Sequence, residues 1–143
     1  MNYFAHGMRF VDRPYYMVGT ALPDLMAVVD RRARLRIKNV APFVSEEPTI
    51  EAELASGINQ HLDDDHWFHS TQGFLEISTD MSILFRQIFT HDETARVGFL
   101  GHIVTELLLD RVLIEQNPGL IDEYYAAFSE IDPLQTEIAT NKM

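Results

Sequence analysis

Apolar residues recur along this chain at steps of three and four, the period of helices buried on one side. From Thr49 to His66, the positions Ile50, Leu54, Ile58 and Leu62 mark one such face and predict a long helix. Ser78 to Phe89 repeats the pattern with Met81, Ile83, Leu84 and Ile88, and Leu120 to Ile131 forms a last amphipathic segment. Ala95 to Glu115 differs: it is apolar nearly all round, which predicts a buried helix, ended by Asn117-Pro118-Gly119. Thr90-His91-Asp92-Glu93 ahead of it has the form of a capping box. Near the N-terminus Tyr3, Phe4 and Met8 read as core, Pro14 suits a helix start, and Pro23 interrupts or restarts the helix that follows. Gly19 and Gly57 fall within helical stretches, where they allow close approach between helices. Asn39 to Pro48 reads as a loop, and residues 132–143 as a frayed tail. No alternating pattern of useful length and no internal repeat is present, so residues 1–143 are expected to form one all-α helical bundle.

Against this pattern, certain polar residues stand where the helices should be apolar. His61, Asp65 and His69 lie four residues apart. Each step of four turns a side chain only about 40° around a helix axis, so all three share one face. His102, Glu106 and Asp110 repeat the arrangement on the apolar segment. A buried carboxylate without a partner costs several kcal/mol or titrates to neutral. One explanation is a polar seam, with His102 bonded to Glu106 and Asp110 paired with Arg111 or Arg96. The other is a shared cation, and two matched stripes of imidazole and carboxylate favour it. His6 adds an imidazole among core residues. Asp24 is either a first-turn acid at a helix start or a carboxylate aimed into the same site. The expected ligands are thus His6, Asp24, His61, Asp65, His69, His102 and Glu106, with Asp65 and Asp110 also catalytic. Asp63, Asp64 and His66 point elsewhere, toward solvent, although His66 could line the mouth of the site. Mixed imidazole and carboxylate donors suit divalent Mn, Fe or Zn. Such a centre makes a hydroxide-like water available near neutral pH, the chemistry of phosphoester hydrolysis. No Ser-His-Asp set and no glycine-rich phosphate loop is legible as a competitor.

Composition narrows the classes. Asp plus Glu number 22 against 11 Lys plus Arg, for a net charge of −11, which disfavours nucleic acid and anionic lipid as partners. Five of the basic residues, Arg31, Arg32, Arg34, Arg36 and Lys38, fall in one short segment. They are either a solvated helix end or a docking patch for a phosphate or an acidic partner. No apolar run is long enough to span a membrane, cysteine is absent, and MNYFAHGMRF lacks the features of a signal peptide. These features predict a cytoplasmic protein without disulfides.

The same residues resemble a family. Met1-Asn-Tyr-Phe-Ala-His6 is similar to the start of the acyl carrier protein phosphodiesterases. Gly57-Ile58-Asn-Gln-His61 followed by Asp65 resembles their GI-x-LHR-x-ID segment, Glu106 and Asp110 their later D-x3-DH segment, and Gly19 to Asp24 a short segment ending in Asp. The likeness runs in the same order over roughly the first 115 residues. Leu62 stands where the family has Arg, His69 where it has Asp, and Arg111 where it has His, and its His-Pro is absent. The resemblance implies a divergent HD-type fold and a metal-dependent phosphohydrolase. Its implied substrate is the phosphodiester that links phosphopantetheine to an acidic carrier protein. Two other readings stand beside it. One is a different metal-dependent hydrolase, zinc phospholipase C-like or acting on nucleotides. The other is a non-catalytic helical binding protein that keeps the outline of the site.

Overall fold

The computed structural model describes every residue except Arg31, Ala33 and Glu93. The chain forms α1 (Tyr3–Gly7), α2 (Pro14–Val29), α3 (Ile37–Val40) running into a 3₁₀ turn (Ala41–Phe43), α4 (Ile50–His69), α5 (Gln72–Ile88), α6 (Val97–Gln116), α7 (Leu120–Phe128) and α8 (Pro133–Thr140). The fold is all-α, with no strand among the described residues.

Two close crossings set the architecture. At the first, α2 lies against α4 with glycine facing glycine. A Cβ on Gly57 would fall 2.1 Å from the Tyr16 carbonyl oxygen, and one on Gly19 would fall 2.5 Å from that of Leu54. Only residues without side chains let the two backbones meet at this distance. Around the crossing lies the core, built from Phe4, Met17, Leu54, Ile58, Tyr124 and Ala139 among others. At the second crossing α5 and α6 form an antiparallel-type pair, and a Cβ on Gly101 would meet Ser82 Oγ at 2.2 Å. No fully buried member of the core cluster comes from α5 or α6; only Leu113 and Ile114, late in α6, pack against it.

Local chemistry accounts for several helix ends. Thr49 caps α4 by accepting from the Ala52 amide, and Thr71 caps α5 by accepting from Phe74. Gly119 takes a left-handed φ of 88°, which turns the chain from α6 into α7.

Several expectations change. Asn39 to Pro48 is not loop throughout: Asn39 and Val40 close α3, and Ala41–Phe43 form the 3₁₀ turn. Pro23 does not interrupt α2, which runs through it. The Thr90–Asp92 stretch starts no helix; α6 begins at Val97, behind Arg96, and Glu93 lies outside the described residues. The α6 helix is not buried: Phe99 is 54% exposed and Leu107 51%, because one side packs on α5 and the other faces outward. Residues 133–140 are no frayed tail. The Asp132 carboxylate accepts from the Leu134 and Gln135 amides, Pro133 fills the first helical position, and Thr136, Ala139 and Thr140 are buried.

Candidate metal centre

The site forms where α1, α2, α4 and α6 meet. One member is His61, on the face of α4 that meets α2. Pro23 lacks the N–H that would bond the Gly19 carbonyl, so this turn of α2 is short of one hydrogen bond. In the same turn, the Thr20 carbonyl lies 2.8 Å from His61 Nδ1. That carbonyl can only accept, so Nδ1 carries the proton and Nε2 keeps its lone pair. Nε2 faces carboxylates, 3.6 Å from Asp65 Oδ2 and 3.9 Å from Asp24 Oδ1. Burial, reinforced by neighbouring His6, pushes His61 down to about 4, so the ring is neutral near pH 7.

His6 stacks on His61 with ring centroids 4.1 Å apart. Its side chain is fully buried, and neither ring nitrogen makes a hydrogen bond with a described residue. Nε2 is 3.2 Å from Asp65 Oδ1 and Nδ1 is 3.6 Å from Asp64 Oδ2, but neither contact has hydrogen-bond geometry. Burial opposes ionisation of Asp65; the close approach of His6 and the pairing with the Met1 ammonium prevail and hold its carboxyl well below the usual range. His6, His61 and Asp65 each offer a donor atom, and these atoms lie within 4.8 Å of one another.

A second group adjoins the first. His69 Nε2 is 2.9 Å and His102 Nε2 3.0 Å from the same atom, Glu106 Oε1. These three also offer donors within 4.8 Å of one another. The Met1 ammonium joins the groups, pairing with Asp65 and lying 3.2 Å from Glu106 Oε1.

Each expected residue now has a place. His6, His61, Asp65, His69, His102 and Glu106 come together, although α4 and α6 are separated by α5. Asp24 stands beside them, its carboxyl pushed up by burial and by the Asp65 charge. Asp110 makes a different contact. It is buried and accepts the Ala5 amide at 2.9 Å, capping the first turn of α1 and so steadying the helix that carries His6. Neither Arg111 nor Arg96 pairs with it; Arg111 bonds Glu115 instead. Asp64 differs from expectation, being half-buried beside His6 and bonded by Gln60, whereas Asp63 and His66 are exposed.

A cleft of about 1150 Å³ opens over both groups, with Asp24, Asp65, His69, His102 and Glu106 in its wall. Arg34 lines it from the segment after α2 and Arg96 from the start of α6. Arg32, Arg36 and Lys38 are exposed but do not line it, Arg32 pairing with Asp30, and Arg31 lies outside the described residues. Arg96, whose guanidinium sits 5.2 Å from the Phe99 ring, was not anticipated as a cleft residue. Its only sequence signal was a cation just ahead of the helix that carries His102. Comparisons with protein-family models, curated proteins and solved structures found no match to this chain.

Proposed function

We propose that the cluster binds divalent metal, Mn, Fe or Zn, and that the protein is a phosphohydrolase acting on a phosphoester or phosphodiester. His6 carries this reading. A fully buried imidazole with both nitrogens unbonded costs about 1–3 kcal/mol, and a cation shared with His61 and Asp65 removes that cost. The donor set fits: neutral imidazoles with carboxylates, and one ring whose tautomer is already fixed by a backbone carbonyl. A bound divalent ion would supply a water acidic enough to act near neutral pH.

The chain's own residues do the rest. Arg34 and Arg96 offer guanidiniums to an anionic substrate entering a cleft otherwise walled by carboxylates. Phe99, Ile103, Val28 and Leu35 give the cleft apolar surface on which a substrate's organic arm can lie. In the reaction, the oxygen of water bonds to phosphorus, the ester P–O bond breaks, and the departing oxygen takes a proton. The resemblance to acyl carrier protein phosphodiesterases points to a phosphopantetheine-type arm on an acidic carrier. Arg34 is the described member of the basic segment set to meet it.

The test is metal analysis of the purified protein with turnover of bis(p-nitrophenyl) phosphate. Metal should co-purify, chelator should abolish turnover, and Mn or Zn should restore it. Arg96→Ala with Arg34→Ala should raise KM at least tenfold with little change in kcat. Wild-type protein that holds no metal and shows no chelator-sensitive turnover would leave a helical binding protein as the better account.

A further inference from the structure

The six imidazole and carboxylate donors divide into two triads of matching composition. His6, His61 and Asp65 make one; His69, His102 and Glu106 make the other. Each has two imidazoles and one carboxylate, a set that by itself holds a first-row metal and leaves further positions open to water or substrate. Within each triad the donor atoms lie within 4.8 Å of one another, and the six do not merge into one such group. A single ion therefore leaves one triad unused. The triads nevertheless abut, because one nitrogen, the Met1 ammonium, reaches the carboxylate of each. Side-by-side ions in two-metal hydrolases sit about 3.5–4 Å apart, a spacing that adjoining triads suit.

Asp24, Asp65 and Glu106 all line the cleft. His6, buried and unbonded, belongs to one triad. In the other, two imidazoles and an ammonium crowd onto a single oxygen of Glu106.

We propose that the centre is dinuclear, with one divalent cation on His6, His61 and Asp65 and a second on His69, His102 and Glu106. This rests on the phosphohydrolase reading above and specifies its metal centre. The second site is specific to this chain in one respect: His69 stands where the resembling family has Asp.

Metal stoichiometry tests it without reference to turnover. Protein stripped with chelator is reloaded with Mn(II), freed of excess ion, and measured by mass spectrometry and electron paramagnetic resonance. Wild type should hold two ions per chain and give the signal of a spin-coupled pair. His69→Ala with His102→Ala, both partly exposed positions in the structure, should hold one ion with an isolated-ion signal. His6→Gln should lose the other ion and also return one. Circular dichroism confirms that each variant is folded. One ion per chain in wild type, whatever the variants hold, overturns the dinuclear centre and leaves a mononuclear hydrolase standing. No ion in any of the three proteins overturns this proposal and the functional reading together.

Discussion

His61 shows how a single side chain can be held ready for a ligand. Its Nδ1 proton is committed to the Thr20 carbonyl, its ring is buried, and its Nε2 faces two carboxylates. A pH dependence follows. In the unfolded chain His61 titrates near its ordinary 6.5, whereas in the folded chain it is held down to about 4. On acidification the unfolded chain therefore takes up the proton first. The stability His61 contributes is complete above pH 6.5 and is lost as pH falls toward 4, by about 3 kcal/mol at most. The depressed carboxyl of Asp65 does not mask this window, since its own contribution falls away only below the ordinary 3.8. The urea midpoint of chelator-treated protein should drop between pH 7 and pH 4.5, and His61→Gln should flatten that drop. A wild-type midpoint unchanged over the range would refute the assignment. At this scale the sequence was informative about which side chains meet, because four-residue spacing fixes a helix face whatever else the chain does. It was silent on Thr20, which acts through its backbone, and it singled out Asp110 without its partner, an amide far away in the chain.

The helices owe their arrangement to the residues that let backbones touch. Gly57→Ala is the direct probe of the α2–α4 crossing. The added methyl would lie 2.1 Å from the Tyr16 carbonyl and 2.9 Å from Gly19 Cα, both of them backbone atoms of α2 that cannot rotate away. The two helices must separate, and the substitution should cost about 3 kcal/mol or more. Gly73→Ala is the control: it is helical too and meets nothing within 4 Å, so the better helix propensity of alanine should leave stability unchanged or raise it by up to about 1 kcal/mol. Equal thermal stability for the two variants would show that the crossing tolerates a side chain. Helix existence was legible from periodicity, but three features were not. Pro23 reads as a break, yet the surrounding packing carries α2 through it. Asp132-Pro133 is a cap-and-start signature that opens α8, overlooked because little strongly apolar sequence follows. The all-round apolar pattern of α6 implies burial, but such a pattern carries no phase and cannot say which faces find partners.

On the scale of the whole molecule, two bodies share one site. The first is the crossing of α2 and α4 with α1, α7 and α8 around it, and it contains the fully buried core. The second is the α5–α6 pair, whose outward faces leave Leu75, Ile83, Phe99 and Leu107 exposed. His6, His61, Asp65 and His69 belong to the first body, and His102 and Glu106 to the second. A cation on His69, His102 and Glu106 would therefore tie the bodies together, adding to the limited apolar contact between them. Ion binding stabilises whatever conformation completes the site, by about 2.7 kcal/mol for free ion at 100 times its dissociation constant. That stabilisation should be spent where the packing is thinnest. In amide hydrogen exchange, chelator should speed exchange along α5 and α6 markedly while α2 and the first half of α4 stay protected, since local opening needs only the loss of the joint and not of the core. Glu106→Ala should exchange like chelated wild type and show no further response to chelator. Protection lost evenly across all helices would mean that the cations support the global fold. No change in α5 and α6 would mean that the pair is held by its apolar contacts alone.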